Sequence, residues 1–269
     1  MKEQIDDRGN SMKVVILAGG KGTRISEESH LKPKPMIEIG DMPILWHIMK
    51  IYSYYGYNEF IICCGYKGYI IKEYFADYFL HMSDVTFDFS QGNKRIVHNN
   101  MVEPWIVTLV DTGEEAQTGS RIKQIQQYIP EGESFMLTYG DGVADVNISD
   151  LIGQHEKEKK YVTMTAVQPS GKFGMLDIKD GTVTRFLEKP RGDGGWINGG
   201  FMVLDYDVFQ YLNDDDNLVF EEKPLEQLAQ EGQLGAYKHY GFWQAMDTMR
   251  DKDKLNLMWK NQKALWKVW

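Results

Sequence analysis

The chain has 269 residues, of which 42% are apolar and 26% charged, a balance that fits a globular protein with a large core and excludes collagen-like, low-complexity and disordered chains. Its 30 Lys and Arg against 39 Asp and Glu leave a net charge of −9, so the surface repels a phosphate backbone and nucleic acid is not an expected partner. No stretch of about 20 apolar residues is present to span a bilayer, and no membrane association is expected.

Residues 1–11 are polar and acidic and lack the basic-then-apolar order of a secretory signal, so they read as a disordered extension or a cloning remnant, and the protein as cytoplasmic. Residues 13–17 form a continuous apolar run of strand length, followed at once by glycines. Residues 43–57 carry Ile44, Leu45, Ile48, Met49, Ile51 and Tyr52 at helical spacing, with Pro43 suited to a first turn. Residues 59–65 read as the next buried strand and 69–80 as the next helix. Cys63 and Cys64 lie side by side in that strand and read as reduced core residues. A strand at 106–110, a helix near 119–127 and a strand at 134–138 continue the alternation, which predicts a parallel sheet covered by helices on both faces. Past Asp150 the character shifts to shorter strands at 161–167, 173–178, 182–187 and 197–204, with Asp180-Gly181 as a hairpin turn, and 250–269 reads as a closing helix. No repeat or long linker interrupts the chain, so residues 12–269 are expected to form one α/β domain with a mixed, mainly parallel sheet and a β-rich second half.

Five motifs are candidates for chemistry. Leu17-Ala18-Gly19-Gly20-Lys21-Gly22-Thr23-Arg24 offers unhindered backbone N–H groups and a bidentate arginine to a phosphate. Its glycine spacing fits neither the dinucleotide fingerprint nor the Walker loop, and a tight strand-to-helix turn is the plain alternative. Lys32-Pro33-Lys34-Pro35-Met36 holds Lys34 in a stiff segment, either beside a triphosphate or as a solvated basic loop. Tyr139-Gly140-Asp141-Gly142 ends a strand, where open parallel sheets bind ligands, and Asp141 suits a Mg²⁺ ligand or an Asp-Gly turn. Glu188-Lys189-Pro190 and Trp196-Ile197-Asn198-Gly199-Gly200 offer groups for hydroxyls and phosphate, or are ordinary loop composition. Asp247 sits in an apolar setting and needs a partner, as a second metal ligand or as a helix N-cap. The six histidines show no metal-ligand spacing and read as structural or solvent-facing.

The glycine motif followed by Pro33-Lys34-Pro35-Met36 resembles the sugar-phosphate nucleotidylyltransferases, and the likeness runs from Met12 to Trp269. The segments 43–47, 63–69, 139–145 and 243–250, with the run from Glu103-Pro104-Trp105 to Thr118-Gly119-Ser120-Arg121, are similar to the glucose-1-phosphate cytidylyltransferase branch. That branch makes CDP-glucose for the deoxysugars of cell-surface polysaccharide such as O-antigen. The resemblance implies a Rossmann-like nucleotide-diphospho-sugar transferase fold. It implies that Leu17, Ala18, Gly19, Gly20, Lys21, Gly22 and Thr23 wrap CTP, that Arg24 and Lys34 hold its phosphates, that Arg121 adds a nucleotide contact and that Gly140 packs beneath it. Asp141 and Asp247 would share Mg²⁺, while Glu188, Lys189 and Asn198 would receive glucose 1-phosphate, with Gly174 lining that pocket. A homo-oligomer, a hexamer in the resembled family, is implied as well. The chain departs from the family pattern at Gly119-Ser120, where Gly-Gly is expected, and at Ser29, where Thr is expected.

The implied reaction is in-line attack by the phosphate of glucose 1-phosphate on the α-phosphorus of CTP, with departure of pyrophosphate. Both reactants are anions, so positioning and charge neutralisation by Arg24, Lys34, Lys189, Asp141 and Mg²⁺ carry it. Three other readings compete: the same transfer from UTP or dTTP, a catalytically silent nucleotide-sugar-sensing or assembly subunit, and a dinucleotide oxidoreductase. The retained charges at Arg24, Lys34, Asp141, Lys189 and Asp247 argue against a silent subunit, and the glycine spacing argues against an oxidoreductase.

Overall fold

The first apolar run becomes β1 (Val14–Leu17), buried along its whole length. The structure, a computed structural model, describes residues 12–169, 175–179, 182–187 and 195–269. After α1 (Ser26–Ser29), a short hairpin of β2 (Glu38–Ile39) and β3 (Met42–Pro43) leads into α2 (Ile44–Tyr54). Then come β4 (Glu59–Cys64), α3 (Gly68–His81) and a hairpin of β5 (Ser83–Asp88) with β6 (Lys94–Asn100). The chain continues through β7 (Ile106–Asp111), α4 (Thr118–Gln124), β8 (Phe135–Tyr139), β9 (Gly142–Ala144) and α5 (Ile148–Glu158). The remainder holds β10 (Val162–Val167), β11 (Met175–Lys179), β12 (Thr182–Leu187), β13 (Ile197–Leu204), α6 (Lys223–Gln230), β14 (Leu234–His239), β15 (Trp243–Ala245) and α7 (Met249–Lys260).

Seven strands form the central sheet in the order β14-β10-β13-β8-β1-β4-β7. β1 pairs parallel with β4 and β8, β4 with β7 and β10 with β14, and β13 alone runs against its neighbours. Because strand side chains alternate between faces, a strand buried on both sides reads as one apolar run. Val14 and Ile16 accordingly join the core beneath α2 and α5, with Ile48, Phe60 and Leu151, while Val15 and Leu17 join the core beneath α4 and α6, with Ile61, Ile122 and Leu228. The mixed, mainly parallel sheet flanked by helices is the architecture expected from the alternation.

Several boundaries differ from the sequence reading. The β-rich second half expected past Asp150 is present, and its strands divide: β10, β13 and β14 complete the central sheet, and β11 pairs with β12 apart from it. Helix α5 was not expected; Ile148, Leu151, Ile152 and His155 give it one buried face, and Asn147 caps it by accepting from the Asp150 N–H. The closing helix stops at Lys260, short of Trp269: Gln262 adopts a left-handed backbone at φ 55°, and the following tail brings Trp266 into the core. The hairpin turn expected at Asp180-Gly181 lies outside the described residues, although β11 and β12 on either side of it pair antiparallel. Among the described residues no helix is long and apolar enough to cross a membrane.

Candidate active site

The carboxyl ends of β1 and β8 open into a cleft of about 270 Å³, lined by the glycine loop, Lys34, Pro35, Arg121, Gly140 and Asp141. Ligands collect at such strand ends because the loops leaving the sheet diverge there. The floor is tight. A Cβ on Gly140 would meet Pro35 Cγ at 2.9 Å and the Leu17 carbonyl at 3.0 Å, and the Gly140 N–H donates to that carbonyl. Gly22 takes a left-handed backbone at φ 63°, which turns the chain into the short helical turn bearing Thr23 and Arg24. Gly20 is open to solvent, and a Cβ there would meet nothing. Lys21 turns away from the cleft lining to pair with Glu115.

Two carboxylates converge on one ammonium. Lys34 Nζ donates to Asp141 Oδ2 at 2.6 Å and to Asp247 Oδ1 at 2.8 Å, with its own side chain only 10% exposed. Burial alone would lower the Lys34 ammonium, but the Asp141 and Asp247 carboxylates outweigh it and raise its pKa above the usual lysine value. Arg24, with a 75% exposed side chain, donates to the second oxygen of Asp247 at 3.2 Å. The convergence follows from β-pairing: Gly142 opposes Ala245 in the β9–β15 ladder, and the Met246 N–H donates to the Asp141 carbonyl. The residue that caps α7 is Thr248, in a capping box with Asp251, so Asp247 precedes the cap and its side chain is left for the cleft.

Arg121, on α4, is buried and donates five hydrogen bonds to oxygens of three segments: Thr112 Oγ1 at 2.6 Å with the carbonyls of Gly113 and Glu114, and the carbonyls of Gly19 and Cys64. Burial lowers its pKa from the ordinary arginine value. Its guanidinium fills the space over Gly19, where a Cβ would meet Nη1 at 2.1 Å, so this glycine is required by packing. Arg121 therefore shapes the glycine loop as well as lining the cleft.

Asn198 Nδ2 donates to the Tyr139 hydroxyl at 3.0 Å, and Tyr139 lines the cleft. Gly174, Glu188 and Lys189 lie outside the described residues. Ala116, Gln117 and Thr118 line the cleft and were missed as candidates, although Thr118 opens the helical run that carries Arg121. Glu221, bonded to both Thr118 and Tyr139, belongs to no motif and left no signal in the sequence.

The chain that forms this cleft belongs to the nucleotidyl transferase family, whose pattern matches residues 13–251. It is 57% identical to a glucose-1-phosphate cytidylyltransferase of Salmonella typhimurium over 258 residues, 96% of this chain and 100% of that protein. The fold is also that of HddC from Yersinia pseudotuberculosis, with TM-score 0.67 at 24% identity over 92% of this chain and 99% of the other. A UDP-glucose pyrophosphorylase in complex with UDP-glucose superposes with TM-score 0.67 at 16% identity, covering 93% of this chain and 99% of the other.

Proposed function

We propose that this chain transfers CMP from CTP to glucose 1-phosphate, releasing pyrophosphate and forming CDP-glucose. The observation that carries the reading is the Lys34–Asp141–Asp247 cluster at the mouth of the glycine-lined cleft. The family and the high identity to a cytidylyltransferase supply the substrate pair. In the reaction an oxygen of the sugar phosphate forms a bond to the α-phosphorus of CTP while the bond to the β-phosphate oxygen breaks. A phosphate monoester is largely ionised at neutral pH, so no general base is needed. Backbone N–H groups of the loop Leu17 to Thr23 bind the nucleotide phosphates over Gly140, and Arg24 and Lys34 spread the developing charge. Asn198, with Glu188, Lys189 and Gly174, receives the sugar phosphate.

Mg²⁺ belongs to the same reading. Two carboxylates already meet around one cationic atom, and a magnesium ion takes one or two carboxylates and completes its shell with phosphate oxygens and water. Asp141 and Asp247 would hold it, and when bound it supplies Lewis-acid stabilisation of the phosphates. A homo-oligomer and a cytoplasmic location complete the proposal. The exposed Phe87, Phe89, Ile96 and Val97 on the β5–β6 hairpin support self-association.

Pyrophosphate release, measured with Mg²⁺ and glucose 1-phosphate for CTP, UTP, dTTP, ATP and GTP in turn, tests the function. Release with CTP far above the others is expected. Equal release with UTP or dTTP would overturn the base assignment, and no release from folded protein would overturn the enzyme.

A further inference from the structure

We infer that Glu221, acting through the Tyr139 hydroxyl, is a positioning residue that orients the Asn198 side-chain amide for the sugar substrate. The inference rests on the sugar-side role proposed for Asn198.

A carboxylate accepts hydrogen bonds and cannot donate them when ionised. Glu221 Oε1 accepts from the Tyr139 hydroxyl, and Oε2 accepts from Thr118 Oγ1, which in turn accepts from the Phe220 N–H at 2.9 Å. The Tyr139 proton is thereby committed to Glu221, and the phenol oxygen presents only lone pairs to its other neighbour. That neighbour is Asn198 Nδ2, which donates to it at 3.0 Å. The opposite end of the amide is specified independently, because Asn198 Oδ1 accepts from the Gly200 N–H at 2.9 Å. Rotating the amide by half a turn would set oxygen against oxygen at Tyr139 and donor against donor at Gly200.

The ring that carries the relay is itself held. Gly200 has φ +88°, and a Cβ there would meet the Tyr139 ring at 2.7 Å, so only glycine lets the ring lie against that strand. Burial, followed by the Glu221 charge, pushes the Tyr139 phenol well above its ordinary pKa, so it remains a neutral donor. With both amide ends specified, one Nδ2 hydrogen and one Oδ1 lone pair of Asn198 keep fixed directions. A sugar offers hydroxyls that both donate and accept, so a fixed amide selects which hydroxyl arrangement fits, whereas a rotating amide accepts several.

The test is steady-state kinetics of the full chain with the two substrates varied separately, on Asn198→Ala, Tyr139→Phe, Glu221→Ala and the Tyr139→Phe/Glu221→Ala double variant. Each single change is expected to raise the KM for glucose 1-phosphate about fivefold, with the KM for CTP and kcat moving less than about twofold. The double variant should match the single ones, since both break one relay. A role confined to holding α4 through Thr118 predicts instead that Glu221→Ala raises the KM for CTP while Tyr139→Phe is silent, and that result would overturn the inference. If Asn198→Ala leaves the KM for glucose 1-phosphate unchanged, the sugar-side role of Asn198 falls and the relay with it. If Asn198→Ala raises it while the Tyr139 and Glu221 variants do not, the relay alone is overturned.

Discussion

The cleft around Lys34 and the aromatic cluster around His47 each bury a basic side chain, and they treat its proton in opposite ways. Lys34 meets two carboxylates and is held charged. His47, fully buried on α2, meets Trp46, Trp259, Trp266 and Trp269, with ring centroids 4.7 to 6.2 Å away. Its Nε2 bonds to the Ile39 carbonyl at 2.9 Å, and Nδ1 accepts from Trp266 Nε1 at 3.4 Å, an arrangement that uses the neutral ring. Burial pushes the imidazole down to about 4. Desolvation opposes charge at both places, so the neighbours decide: carboxylates keep the cleft ionic, and indoles make the cluster a piece of core. One helix joins the two regions, since α7 has Asp247 just before its cap and Trp259 near its end.

The largest expected effect that sharpens this contrast is in the cleft. Asp141→Asn retains a hydrogen bond to Lys34 but halves the carboxylate charge there, and turnover should fall by about a thousandfold or more with an unchanged circular dichroism spectrum. Near-native turnover would remove Asp141 from the chemistry. Arg121→Ala should destabilise the chain by roughly 3–5 kcal/mol in urea titrations, because its five oxygen partners lose a buried donor. A loss under about 1 kcal/mol would show that water replaces the guanidinium.

The aromatic cluster gives the next effect. His47 ionises less readily folded than unfolded, so the unfolded chain takes up the proton first. Stability from this group is complete above pH 6.5 and is lost as the pH falls toward 4, by about 3 kcal/mol at most. Urea midpoints across that range should fall more steeply for the native chain than for His47→Gln; parallel curves would break the comparison by showing that the cluster admits charge. The smallest effect is at the junction. Thr248→Ala removes the α7 cap and should cost about 1 kcal/mol. A concurrent rise in the KM for CTP would show that the cap also aims Asp247, whereas an unchanged stability would remove the cap from the link between the regions.

Local chemistry made much of this molecule legible in advance. Buried strands such as 14–17 and 59–64 had to read as unbroken apolar runs because both their faces are covered. Glycine before Thr23-Arg24 permits the left-handed turn and prolines around Lys34 restrict the backbone, whatever surrounds them. Helix α5 carried the same kind of signal, with Ile148, Leu151 and Ile152 at helical spacing after the Asn147 cap, and was passed over among mostly polar residues, whereas the end of α7 depends on Trp266 finding a place in the core.

The class of fold, the loop proposed to meet phosphate and the identity of the charged side chains could thus be read from the chain, since these depend on residues close together in it. Folding alone brings Lys34, Asp141 and Asp247 to one point, sets Arg121 across three segments, and joins Glu221 to Asn198 through Tyr139. Each of those contacts joins segments distant in the chain, so whether their side chains meet depends on how the strands between them pair and not on either segment alone.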